Sequence, residues 1–109
     1  MSVSYEDFAK LDIKIGTIIA VAVVEEADRL LCLMVEIGED EPRQIISAIR
    51  EFFPQPEELI GRQCPFLINL EPRKIKGLES QGMILAVGEN TNFSLVHPGQ
   101  PVPAGTRIH

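Results

Sequence analysis

Residues 69–85, NLEPRKIKGLESQGMIL, set Arg73, Lys74 and Lys76 into four consecutive positions, behind Pro72 and ahead of Gly77. Cations this close, on a segment bracketed by turn formers, offer several positive donors to one ligand. A phosphate backbone is the ligand that suits them, with the guanidinium able to bind bidentately and the ammonium groups acting as point charges. Asn69 adds an amide donor and acceptor at the head of the segment. Ser80 and Gln81 carry short polar groups that either bond a ribose hydroxyl or base edge, or close the turn. Met83 is a flexible apolar contact for a base or a core residue entering a strand, and Gly82 lets a backbone or ligand approach closely. Ser47, inside IISAI, faces either an interior or a binding side, and Arg50 just after it is a further phosphate candidate. If three or four phosphates are engaged, affinity falls with salt with a log–log slope of roughly −2 to −4. The plain alternative is a solvated turn that keeps a sheet edge soluble.

Catalytic chemistry has weaker candidates. His97 and His109 stand in the C-terminal segment without a second ligand at zinc-site spacing, so no metal is expected. Glu25-Glu26 and Glu57-Glu58 are adjacent pairs in polar surface segments, where solvation explains them. No glycine-rich phosphate loop joins a strand to a helix, and no base, nucleophile and oxyanion set converges. The reading is a binding module with no catalytic residues and no cofactor. Phe52 and Phe53, beside Pro54, are expected to anchor their loop to the core rather than to stack on bases.

The basic segment belongs to an acidic chain of net charge −6. Residues 21–41 hold seven acids against Arg29 alone, and the remaining acids and bases cancel. Overall basicity, the usual mark of a nucleic-acid binder, is missing. The expectation is a polarised surface, with one acidic region and one basic loop. No apolar run is long enough for a membrane-spanning helix and the first residues carry acids, so neither a membrane nor a secretory signal is expected. Cys32 and Cys64 each sit in an apolar run without a CxxC and read as buried reduced thiols, which suits the cytoplasm.

The elements that must position these residues are short. Ser4 and Asp7 resemble a capping box for a helix over 5–10, pinned by Tyr5 and Phe8. DIKIGTIIAVAVV (12–24) is a β-branched strand with Ile13, Ile15, Thr17, Ile19, Val21 and Val23 on one face, and Gly16 is expected to bend or bulge it. Residues 30–37 form the second strand, with Leu31, Leu33, Val35 and Ile37 inward and Leu30, Cys32 and Met34 outward. Residues 43–49 form the third. A helical turn within 54–62 precedes a strand over 63–70, the basic loop follows, and a fifth strand over 81–88 leads through the turn GENTN and FSLV (93–96) to an extended Pro/Gly-rich tail. Five strands, a helical turn between the third and fourth and one glycine-bent strand describe an all-β OB-fold, a five-stranded Greek-key β-barrel with short helical segments and a C-terminal extension. Its length, 109 residues, suits one domain over 1–109.

DFAKLDIKIGTI, ADRLLCLMVEIGEDEPRQIISAI, PEELIGRQ and NLEPRKIKGLESQGMIL, in that order, resemble the tRNA-binding domain. That domain is found at the C-terminus of methionyl-tRNA synthetases, in free-standing tRNA-binding proteins and in an export-related chaperone. The resemblance covers about residues 7–109. It implies an OB-fold that binds tRNA by shape and forms a homodimer through its C-terminal extension, here residues 92–109, either alone or beside a synthetase catalytic domain. It also implies an alternative, a chaperone-like protein that holds unfolded polypeptide on an apolar surface. Where relatives carry His-Pro-x-Ala-Asp-Lys-Leu, this chain has Val24-Glu25-Glu26-Ala27-Asp28-Arg29-Leu30. Arg29 keeps the positive charge of the motif's lysine. Met34 replaces a basic residue and Ala48 a glycine. The first turn thus repels phosphate, and the contact is expected to lean on Arg73 to Lys76 and Ser80 to Met83.

Overall fold

A computed structural model describes residues 1–109. The chain begins with a short helix, α1 (Tyr5–Ala9), whose first turn is capped because the Ser4 hydroxyl accepts from the Asp7 N–H at 3.1 Å. Strands β1 (Ile13–Val23), β2 (Leu31–Glu36) and β3 (Arg43–Ser47) follow. Two 3-10 turns, Arg50–Phe52 and Pro56–Leu59, lead to β4 (Gln63–Leu67), and Pro56 opens the second of them as its missing N–H allows. Next come β5 (Arg73–Ile75), β6 (Leu78–Ser80), β7 (Met83–Ile84), β8 (Ala86–Val87) and β9 (Ser94–Leu95).

The main sheet runs β3-β2-β1-β4-β7, all antiparallel, and curls into a nearly closed five-stranded barrel of OB type. Leu31, Leu33, Val35 and Ile37 are buried on its inner face together with Ile18, Ile45, Phe66 and Leu59, the last of which plugs one end from the 3-10 turn. β1 serves two partners: its first half pairs with β4 and its second with β2.

The bend in β1 is not at Gly16. The register slips between Ile18 and Ala20, and this bulge shifts the inward phase from Ile18 to Val21, leaving Ile19 47% exposed. Gly16 has a packing role instead: a β-carbon there would lie 2.5 Å from Val35 Cγ1 and 2.9 Å from Phe66 Cδ1. The strand expected over 81–88 is also two. β7 pairs with β4, and β8 turns away to pair with β9.

The C-terminal segment lies against its own barrel. Gly105 N–H donates to Ile15 O at 2.7 Å, Ile15 N–H to Thr106 O at 2.8 Å and Ile108 N–H to Ile13 O at 2.8 Å, so the tail supplies the edge of β1 that β2 does not reach. Phe52 stacks on Phe93 at 4.0 Å and Phe53 meets it edge-on at 6.1 Å, which fastens the start of that segment to the core. The expectation for Tyr5 and Phe8 is corrected: α1 has no buried residue, with Tyr5 79% and Phe8 39% exposed. Cys32 and Cys64 are unpaired; Cys64 is buried and Cys32 half-buried. Burial pushes the Cys64 thiol up to about 11 against the pull of Arg62, and raises Cys32 as well. No helix is long and apolar enough to cross a membrane.

Candidate nucleic-acid interface

The basic segment is a β-hairpin rather than a loop. Arg73, Lys74 and Ile75 of β5 face Ser80, Glu79 and Leu78 of β6, and Lys76 and Gly77 form the two-residue tip. Both tip residues have positive φ, 52° and 79°, which is the backbone a tight hairpin turn demands and which glycine supplies at no steric cost. Alternation along β5 follows directly. Arg73 and Ile75 share the face of buried Ser80, while Lys74 lies opposite Glu79 on the other. Arg73, Lys74 and Lys76 are all exposed.

Three residues read as contacts are engaged within the chain. Ser80 is 2% exposed; its hydroxyl accepts from the Ile46 N–H and donates to Gly82 O, both at 3.0 Å. The Gln81 carboxamide oxygen accepts from the Gln44 backbone N–H at 2.9 Å, while the Gln81 backbone N–H donates to Gln44 O at 2.8 Å. Asn69 donates to Lys10 O at 2.7 Å and accepts from the Asp12 N–H at 2.8 Å, tying the end of β4 to the end of α1. Ser80 and Gln81 close the last seam of the barrel, between β3 and the hairpin, by presenting side-chain oxygens to backbone N–H groups that a neighbouring strand would otherwise satisfy. Gly82 follows with φ 153°, where a β-carbon would lie 2.9 Å from Leu67 O. The Ser-Gln-Gly run is therefore how the basic hairpin is mounted.

Arg43, which the sequence reading overlooked, completes the mounting. Its guanidinium donates to Ile68 O and, at 3.0 Å, to Gln81 O, and it clasps both carboxylate oxygens of Glu39, Nε to Oε1 at 3.0 Å and Nη2 to Oε2 at 2.9 Å. The hydrogen bonds and charge of Arg43 hold the Glu39 carboxyl below its ordinary range. A signal was available, since Arg43 sits four residues after Glu39 across a GEDEP turn, but its two carbonyl acceptors come from distant segments.

The remaining candidates gather at the other end of the hairpin. A cleft of about 400 Å³ separates its tip from the turn after β1. Ala27, Leu30, Ala48 and Ile75 make its apolar walls, and Glu26, Asp28, Arg29 and Lys76 its charged rim. Arg50 belongs to the same end, because its N–H donates to Arg29 O at 3.2 Å. Ser47 is half-buried opposite Leu31 on the last rung of the β2–β3 ladder. Met83 is apart, 36% exposed on β7.

The charge separation expected from the sequence does not exist in space. Glu26 and Asp28 share the cleft with Lys76, while Glu39, Asp40 and Glu41 line a groove of about 670 Å³ with Pro72 and Leu70 at the base of the hairpin. Acids thus flank the cations at both ends. No group of three His, Cys, Asp or Glu side chains is arranged to hold a metal ion.

Residues 13–107 match the family model described as "Putative tRNA binding domain". The chain belongs to the tRNA-binding domain family. It is similar to the Methionine–tRNA ligase of Methanospirillum hungatei JF-1, with 49% identity over 106 residues that make up 97% of this chain and 15% of that protein. The chain thus spans about 15% of the length of the curated ligases it matches first. Among solved structures, a MetRS related protein from Pyrococcus horikoshii is 32% identical with a TM-score of 0.89, over 100% of this chain and 99% of that one. The chaperone CsaA of Bacillus anthracis is 27% identical with a TM-score of 0.88, over 100% of both. Domains of this family are non-catalytic binding modules, found at the C-terminus of methionyl-tRNA synthetases and in free-standing proteins.

Proposed function

We propose that this chain binds tRNA by shape and backbone, through the exposed cations of the β5–β6 hairpin and the adjoining cleft, in the cytoplasm. The observation that carries this reading is the exposed triad Arg73, Lys74 and Lys76 on a hairpin mounted rigidly on the barrel. A rigid mount lowers the ordering cost of binding, so even a few phosphate contacts yield useful affinity. Arg29 and Arg50 extend the same surface. Ser80 and Gln81 act behind it by holding the hairpin, Asn69 ties the end of β4 to the end of α1, and Met83 is left as an apolar contact at its far side. As an appendage of a methionyl-tRNA synthetase the module would raise tRNA affinity by tethering; free-standing, it would act as a homodimer joined through residues 92–109. Truncation before Asn92 then gives a monomer or an unfolded chain by sedimentation, and a well-folded dimer after truncation would remove the tail from the interface.

The decisive experiment is tRNA binding titrated against salt, with Arg73, Lys74 and Lys76 changed together to alanine. Binding weakens at least about tenfold at low salt and the log–log slope shrinks by roughly 2 to 3. Unchanged affinity and slope would rule the hairpin out. A second reading, binding of unfolded polypeptide, is favoured by the likeness to CsaA and by exposed Ile19 and Val23 on the second half of β1. Suppression of the aggregation of a reduced, unfolded test protein, lost on changing Ile19 and Val23 to serine, supports that reading; no suppression by the unmodified chain rejects it.

A further inference from the structure

The cleft beneath the hairpin tip contains groups that a phosphate site does not need. Its volume, about 400 Å³, is in the range of small-ligand clefts, and Ala27, Leu30 and Ile75 line it with aliphatic surface against which a ring can pack. Arg29 and Lys76 stand on the rim, where a nucleotide's own phosphates would pass. The carboxylates of Glu26 and Asp28 share that rim and form no ion pair within the chain. Toward phosphate they are purely repulsive. Toward a base edge they are acceptors with no donor of their own, so they select donors. Guanine is the base whose pairing edge carries two adjacent donors, N1–H and the N2 amine, matched to the two oxygens of one carboxylate.

We propose that this cleft takes one unpaired guanine of the bound RNA. Its ring lies against the apolar walls, its edge donates to Glu26 or Asp28, and its flanking phosphates lie on Arg29 and Lys76. This rests on the hairpin being the RNA surface and adds a base-reading contact to one otherwise made with backbone. It also gives the acidic first turn a role in selecting which RNA is held.

The test uses the heptamer UUUGUUU and its counterparts with inosine, cytosine or uracil at the centre, measured by fluorescence anisotropy at low salt. Inosine keeps N1–H and lacks the N2 amine, so the comparison needs no change to the protein. The guanine heptamer is expected to bind about three- to tenfold more tightly than the inosine one, the span of a net hydrogen bond. In the variant Glu26→Gly with Asp28→Ala, the inosine, cytosine and uracil heptamers bind more tightly because two negative charges are gone, and the guanine preference disappears. Glycine is chosen because Glu26 has φ 61°. Equal binding of guanine and inosine heptamers, or a preference that survives in the variant, overturns the guanine site. If binding is salt-dependent and lost in the Arg73/Lys74/Lys76 triple variant but shows no base preference, the guanine site alone fails. If the triple variant binds like the unmodified chain, the hairpin reading fails and the guanine site with it.

Discussion

The turn after β1 and the β5–β6 hairpin face each other across one cleft, yet they are held in place by different means. The turn is local: Ala27 N–H donates to Val24 O, Leu30 N–H to Ala27 O and Val24 N–H to Leu30 O, with Val24 and Ala27 buried beneath. The hairpin is held from a distance, by Ile46, Gln44 and Arg43 of a strand some 35 residues away reaching Ser80 and Gln81. Their charges differ as well. The turn carries Glu25, Glu26 and Asp28 against Arg29, and the hairpin carries three cations of which Lys74 has Glu79 opposite. Binding strength is thus expected to follow the hairpin's charge and its mounting, and to be restrained by the turn.

Breaking the mounting gives the largest effect. Changing Ser80 and Gln81 together to alanine leaves the Gln44 and Ile46 N–H groups without those acceptors and lowers the unfolding free energy in urea by about 2–6 kcal/mol, at roughly 1–3 kcal/mol for each unsatisfied group. tRNA affinity falls with it, although no cation has been touched; full affinity would show that the hairpin does not depend on this seam. Arg43→Leu removes charged donors from two carbonyls and should cost about 1–3 kcal/mol by the same measurement. A smaller cost would place the mounting in Ser80 and Gln81 alone.

The turn is tested by Glu25→Lys, which reverses a charge beside the cleft. Affinity for tRNA should rise about two- to fivefold at low salt, with the gain vanishing near 1 M salt where the screening length is about 3 Å. No gain would show that the turn lies outside the contact. The smallest effect is in the pH profile. Glu39 is held below its ordinary carboxylate range in the folded chain, so its contribution is present above the unfolded value and is lost as pH falls through the folded one. The stability difference between the unmodified chain and Glu39→Gln should therefore be constant near neutrality and close only below the usual carboxylate range. A difference independent of pH would mean that the Glu39 charge contributes nothing.

Most of the barrel was legible because its signals are local. Alternating apolar residues in 30–37, the capping pair Ser4 and Asp7, and Pro56 at the head of a helical turn each act over a few residues. The misplaced bend shows the limit. Gly16 carries the composition of a bulge, yet the slip falls at Ile18–Ala20, where the two halves of β1 meet different partners, and Gly16 is required by Val35 and Phe66. Tyr5 and Phe8 carry the apolar character to pin α1, but this five-residue helix at the chain's start has no buried residue.

By itself the sequence determined the first four barrel strands, the family and the concentration of Arg73, Lys74 and Lys76 in one segment, since periodicity, motif order and charge are properties of neighbours along the chain. Only the tertiary structure decided what that segment is and what stands around it. A buried N–H must be satisfied by whichever group folding brings near, so Ser80 and Gln81 serve β3 rather than a ligand, and Arg43 is drawn to carbonyls far away in sequence. Coulomb forces likewise act through space. Acids more than 30 residues from the basic triad come to lie at both ends of the hairpin, and the polarised surface expected from the sequence becomes a mixed one.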